Sequence, residues 1–207
     1  MHELGRSFIK GFREPLFALR TPKGLRPLLE PRAATFQWGE SNGAGETITL
    51  DRGESNWKNI DDSSTPYSSS PIAAGSNSYS KWMFGKFSGT FNQISAGLFA
   101  HTAGSMGTGL TIKGQPAMTT DGDRLSYSTP ATSALAGLTF DQTSTVAIGS
   151  GRAVWFGATG PASSGKAATM TTNPCYTNYL THQLQTTGSA AAGDTATATF
   201  TLRYDEN

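Results

Sequence analysis

The octet Gly160-Pro161-Ala162-Ser163-Ser164-Gly165-Lys166-Ala167 follows a predicted strand and nearly repeats the phosphate-loop pattern GxxxxGK[ST]. In that pattern backbone amides and a lysine cradle a polyphosphate. It fails at the last position, because Ala167 stands where a hydroxyl would meet the magnesium ion. Phosphate binding also needs a helix launched at once, so that its amides and dipole face the anion, and the run from Ala168 to Pro174 is a poor helix former. The octet therefore reads as a hairpin loop.

Other reactive residue types are sparse. His2, His101 and His182 are too far apart in the chain for metal-ligand spacing, and there is no HExxH or Cys/His cluster. His101 and His182 read as strand-end or wet-face residues. Cys175, beside Pro174, has no partner thiol and reads as a small buried hydrophobe. Asp121-Gly122-Asp123 falls where a turn is expected, without the rest of a calcium loop. No GxSxG elbow is present, and the few acids of the body lie mostly in loops. A non-enzymatic protein with no cofactor and no metal is expected.

The chain has 207 residues, of which 15% are charged, well below the roughly 25% of an average soluble domain. One domain with an appendage fits that length. Abundant Gly, Ser, Thr and Ala suit short strands joined by many turns. The net charge of +1 is unevenly spread: residues 1–36 carry seven Lys/Arg against three Asp/Glu, leaving −3 for the remainder. A single cysteine excludes an intrachain disulfide, so the fold is compatible with assembly in a reducing cytoplasm. No stretch approaches the roughly 18 apolar residues of a membrane helix, and no signal-peptide pattern opens the chain.

Residues 1–36 read as an extended basic arm. Leu4, Phe8, Ile9 and Phe12 recur at helical spacing among Glu3, Arg6, Lys10 and Arg13, so a short amphipathic helix is expected up to Pro15. Thr21-Pro22, Arg26-Pro27 and Glu30-Pro31 then push the chain into extended geometry. The arm carries more apolar surface than a disordered tail usually tolerates, which predicts that it folds onto something.

From Phe36 the pattern changes to strands. Glu46 to Leu50 alternates briefly, and Ser63 to Ser80 is a loop. Lys81 to Phe91 is an aromatic strand in which Trp82 and Phe84 have one parity and Phe87 and Phe91 the other, predicting a bulge at Gly85 or Gly89. Further strands are expected at Ile94 to His101, Leu110 to Ile112, Leu125 to Tyr127, Val146 to Ile148, Ala153 to Ala158 and Tyr176 to Gln185. The clearest strand runs from Thr195 to Tyr204, where Ala196, Ala198, Phe200, Leu202 and Tyr204 alternate with threonines and Arg203. The expected fold is all-β: an antiparallel β-sandwich, jelly-roll-like, over residues 37–207.

In texture, Lys81 to Gly104 (KWMFGKFSGTFNQISAGLFAHTAG) and Tyr176 to Asn207 resemble structural proteins of tailed-phage particles. That resemblance implies a β-sandwich module with a terminal arm that clamps neighbouring subunits, used as capsid decoration or cement, or at the head-to-tail junction, tail or fibre. It implies a virion location after assembly in the host cytoplasm, with the major capsid protein or other virion subunits as partners, and a homo-oligomer or lattice-bound multimer. Phe8, Phe12, Leu16 and Phe17 are the expected anchors of the arm, with Arg6, Lys10 and Arg13 meeting an acidic shell.

Two other readings remain. Trp57, Tyr67 and Tyr79 in the Ser-rich loops would stack on sugars if the protein were a glycan- or receptor-binding tip. The basic arm would suit nucleic acid, but interspersed acids and an acidic body argue against it. No nucleic acid and no membrane are therefore expected as partners.

Overall fold

The structure is a computed structural model and describes residues 33–104, 106–114, 126–135, 139–140, 151–162, 165–191 and 197–207. Among these, every regular element is a β-strand except a 3-10 turn at Tyr67–Ser69. The strands are β1 (Ala34–Asn42), β2 (Thr47–Leu50), β3 (Lys81–Gly89), β4 (Ile94–Ala103), β5 (Leu110–Gly114), β6 (Thr139–Phe140), β7 (Arg152–Ala153), β8 (Phe156–Gly157), β9 (Thr169–Met170), β10 (Cys175–Thr177), β11 (Leu180–Thr186) and β12 (Thr199–Glu206).

They form two antiparallel sheets packed face to face, the expected all-β sandwich. One sheet runs β2-β1-β3-β11-β5-β6, with β10 also on β3 and β8 on β10; the other runs β12-β4-β7, with β9 also on β4. The interior lies between Phe36, Trp38, Met83 and Phe87 of the large sheet and Phe99, Phe200, Leu202 and Tyr204 of the small one. Phe36, Phe87 and Tyr204 meet as an aromatic triplet, with Phe87 and Tyr204 edge to face at 4.6 Å. Such pairs contribute about 1 kcal/mol each beyond the area they bury.

The parity clash in Lys81–Phe91 has a different origin from the bulge expected there. β1 and β3 pair without a shift from Ala34↔Gly89 to Ser41↔Trp82. β3 is instead buried on both faces. Met83 and Phe87 point into the sandwich, while Trp82 and Phe84 pack with Tyr179 under Tyr127, Tyr176 and Ala162 on the outer side. The loop at 131–135 covers β11 in the same way, with Gln183 Nε2 donating to the carbonyls of Ser78, Ala131 and Ser133. A register shift does fall beside Gly85 on the other edge of β3, where Tyr176 pairs with Lys86 and Leu180 with Met83, so the additional residue lies between β10 and β11 and not in β3. Two more lie where β4 meets β12.

Other expected elements differ in detail. Ala153–Ala158 is two short strands: β7 joins the small sheet and β8 the large one, so the segment crosses the sandwich. Tyr176–Gln185 is interrupted at Asn178-Tyr179, where the Asn178 side chain accepts the Trp155 N–H and donates to the Tyr179 carbonyl. Ser126 and Tyr127 are not strand, β12 starts at Thr199, and Val146–Ile148 lies outside the described residues. β1, which includes the last three residues of the segment read as arm, joins the centre of the large sheet to its edge.

Candidate functional site

One end of the sandwich interior is ionic. On β1 and β3 the inward row continues from Phe36 and Trp38 to Glu40, which is fully buried, as is Lys81 at 1% exposure. Lys81 Nζ donates to Glu40 Oε1 at 2.8 Å, Asn42 Nδ2 donates to the same oxygen, and Arg52 Nε lies 3.4 Å from Oε2. Burial by itself raises the Glu40 carboxyl, but the Lys81 charge and hydrogen bond, then Asn42 and Arg52, outweigh it and hold the group ionised below its ordinary range.

The loop between β2 and β3 closes over this cluster. Buried Lys58 donates to Asp62 Oδ1 and to the Thr65 carbonyl, both at 2.6 Å, and Asp62 also accepts from Ser64 and Thr65. Asp61 accepts from Asn42 Nδ2 and the Gly43 N–H. A shallow open cleft beside them is lined by Asn42, Thr47, Thr49, Asp61 and Asp62. Both of its carboxylates accept from protein donors: Asp62 pairs with Lys58 within the loop, and Asp61 ties the loop to the end of β1 through neutral hydrogen bonds. Among the described residues no group of three or more His, Cys, Asp or Glu is placed to hold a metal ion.

Neither histidine is a wet-face residue. His101 and His182 are both buried, and their rings lie 5.4 and 5.2 Å from the Phe200 ring. Trp57 meets His182 edge to face at 5.5 Å. Burial pushes His182 down to about 4, so the ring is neutral at ordinary pH.

In the near phosphate loop, Lys166 Nζ folds back onto the carbonyls of Gly160 and Thr177, at 3.2 and 3.3 Å. The following residues form β9 and β10, not a helix. Burial lowers Lys166 to about 8 and raises the Cys175 thiol to about 11, the latter only partly offset by the Lys166 ammonium. A thiol held protonated in this way is a poor nucleophile. Of the loop aromatics, Trp57 packs into the core, Tyr79 is half-buried, and Tyr67 is 45% exposed.

Phe8, Phe12, Leu16, Phe17, Arg6, Lys10 and Arg13 lie outside the described residues, as do Asp121, Gly122 and Asp123. What is described is the root of that segment. The Ala34 N–H donates to Glu206 Oε1 at 2.7 Å, and the Ala33 carbonyl accepts the Thr90 N–H at 3.3 Å. The chain thus enters the sandwich beside β12, a strand paired on one side only among the described residues. Neither the ionic cluster nor this root was singled out from the sequence. Glu40 continues the Phe36, Trp38 alternation, and that is the signal that marks it as inward-facing.

Comparison with protein-family models, with curated proteins and with solved structures finds no match.

Proposed function

We propose that this chain is a non-enzymatic structural protein of a tailed-phage particle, a capsid decoration or cement protein that docks on the major capsid lattice through the segment preceding Ala34. The observation that supports this reading is the fastening of that segment's root. Ala33 and Ala34 are tied to Thr90 and to Glu206 on β12, so a basic stretch carrying Phe8, Phe12 and Phe17 leaves a braced body at a fixed point. Phe8, Phe12, Leu16 and Phe17 are the anchors proposed to enter a groove, with Arg6, Lys10 and Arg13 against acidic shell residues. On a symmetric lattice each such contact can be weak, because many act together.

The test is the stoichiometry of purified particles. A copy number on the order of hundreds supports decoration of the shell, whereas about six to twelve, as in a closed ring, moves the protein to the neck, tail or fibre. Absence from particles overturns the reading. Deleting residues 1–32 should abolish particle binding and leave the unfolding temperature of the body unchanged.

A further inference from the structure

Among the described residues β12 pairs with β4 alone, leaving the other side of an eight-residue strand without a sheet partner. Asn207, just beyond it, shows which backbone groups face β4: its N–H donates to Gln93, and its carbonyl accepts from Asn92 and Gln93. Backbone groups alternate sides along an antiparallel strand, so Asp205, Arg203 and Thr201 also turn theirs toward β4. Glu206, Tyr204 and Leu202 turn theirs outward. β12 itself runs without interruption, because both register shifts place the additional residue in β4, between Ala103 and His101 and between Leu98 and Ser95.

We propose that this edge is a two-fold interface on which a second copy of the chain pairs β12 with β12, antiparallel and centred on Tyr204. The argument is charge complementarity. Arg203 and Asp205 are both exposed on the outer face of the small sheet, two residues apart and opposite in sign. Centring on Tyr204 sets Arg203 opposite the partner's Asp205 and Asp205 opposite the partner's Arg203, two ion pairs from one axis. Tyr204 is also a residue whose amide and carbonyl face outward, so the central pair exchanges both hydrogen bonds. Other centres lack this match. An axis at Arg203 or Asp205 opposes like charges, and one at Leu202 sets both charges against threonines.

Edge charges often prevent such pairing, and they do so by repulsion or by being left unpaired. Opposite signs at this spacing do the reverse in one register. The interface is a property of the body and does not depend on the particle assignment, so either can fail alone.

The test is sedimentation of the full chain over a range of concentrations, with circular dichroism confirming that each variant is folded. Arg203→Asp and Asp205→Arg should each raise the dimer dissociation constant at least about tenfold, since two attractive pairs become repulsive. The double swap should return it close to the starting value. As a second measurement, mixed Arg203→Cys and Asp205→Cys chains should form a disulfide under mild oxidation that neither chain forms alone. A chain that is monomeric throughout, single variants that dimerise unchanged, a folded double swap that does not recover, or cross-linking without mixing would each overturn the proposal.

Discussion

His182 sits in the core as a neutral ring packed against both Trp57 and Phe200, which also touch each other, and this makes the fold sensitive to acid. In the unfolded chain the ring takes up a proton near pH 6.5; in the folded chain it does so only near 4. The unfolded state therefore binds more protons across that window, and stability is lost as pH falls through it, by about 3 kcal/mol in total. Glu40, whose carboxyl is held low, acts in the same direction at still lower pH. Urea unfolding between pH 7 and pH 4 should show this loss, and His182→Phe should flatten the slope between 6.5 and 4. The Glu40–Lys81 pair calls for a different measurement. Lys81→Met strands a buried carboxylate and should cost about 3 to 5 kcal/mol, while Glu40→Leu combined with Lys81→Met should cost much less than the sum of the single changes.

At the scale of elements, β3 shows how a strand is specified by what covers its two faces. Gly39 on β1 lies opposite Phe84, and a Cβ there would come within 2.2 Å of the Phe84 ring. Gly85 gives similar room on the inner face, where a Cβ would come within 2.7 Å of Phe36 and 3.2 Å of Leu202. Alanine at either position should destabilise the fold by about 1 to 3 kcal/mol, read as a lower urea midpoint with unchanged slope. Gly39→Ala should be the worse, because the ring it meets is held by Tyr176 and Tyr179. The aromatic richness of β3 was legible in the sequence, and so was its mixed parity. The cause was not, because a bulge and a doubly covered strand leave the same mark on a single segment.

At the scale of the molecule, the last strand carries much of the closure. β12 supplies Phe200, Leu202 and Tyr204, which reach both the central and the aromatic clusters of the interior, and Glu206 holds the start of β1. Removing residues 199–207 should therefore abolish cooperative unfolding altogether, as followed by near-ultraviolet circular dichroism. Loss of residues 1–32, by contrast, should leave the transition in place. Pairing β1 with β3 and β12 with β4 brings distant parts of the chain together, so refolding is expected in milliseconds to seconds or slower.

Composition, turn chemistry and the alternation around Phe200, Leu202 and Tyr204 determined the all-β class, because period-2 burial and Gly-rich turns are local properties of a chain. They also located β2, β4, β5 and most of β3 and β12. Only the tertiary structure decided where the polar residues went. His101 and His182 looked like surface residues because nothing near them in sequence shows that both pack against Phe200. Glu40 and Lys81 are 41 positions apart, and only strand pairing brings their charges to 2.8 Å. Ala167 and the poor helix former after it already marked the Lys166 loop as a hairpin, and what the fold adds is the turning of its ammonium onto the carbonyls of Gly160 and Thr177. For the histidines and for Glu40 with Lys81 the deciding contact is long-range, and a charge or ring is buried only when its partner arrives from elsewhere in the chain.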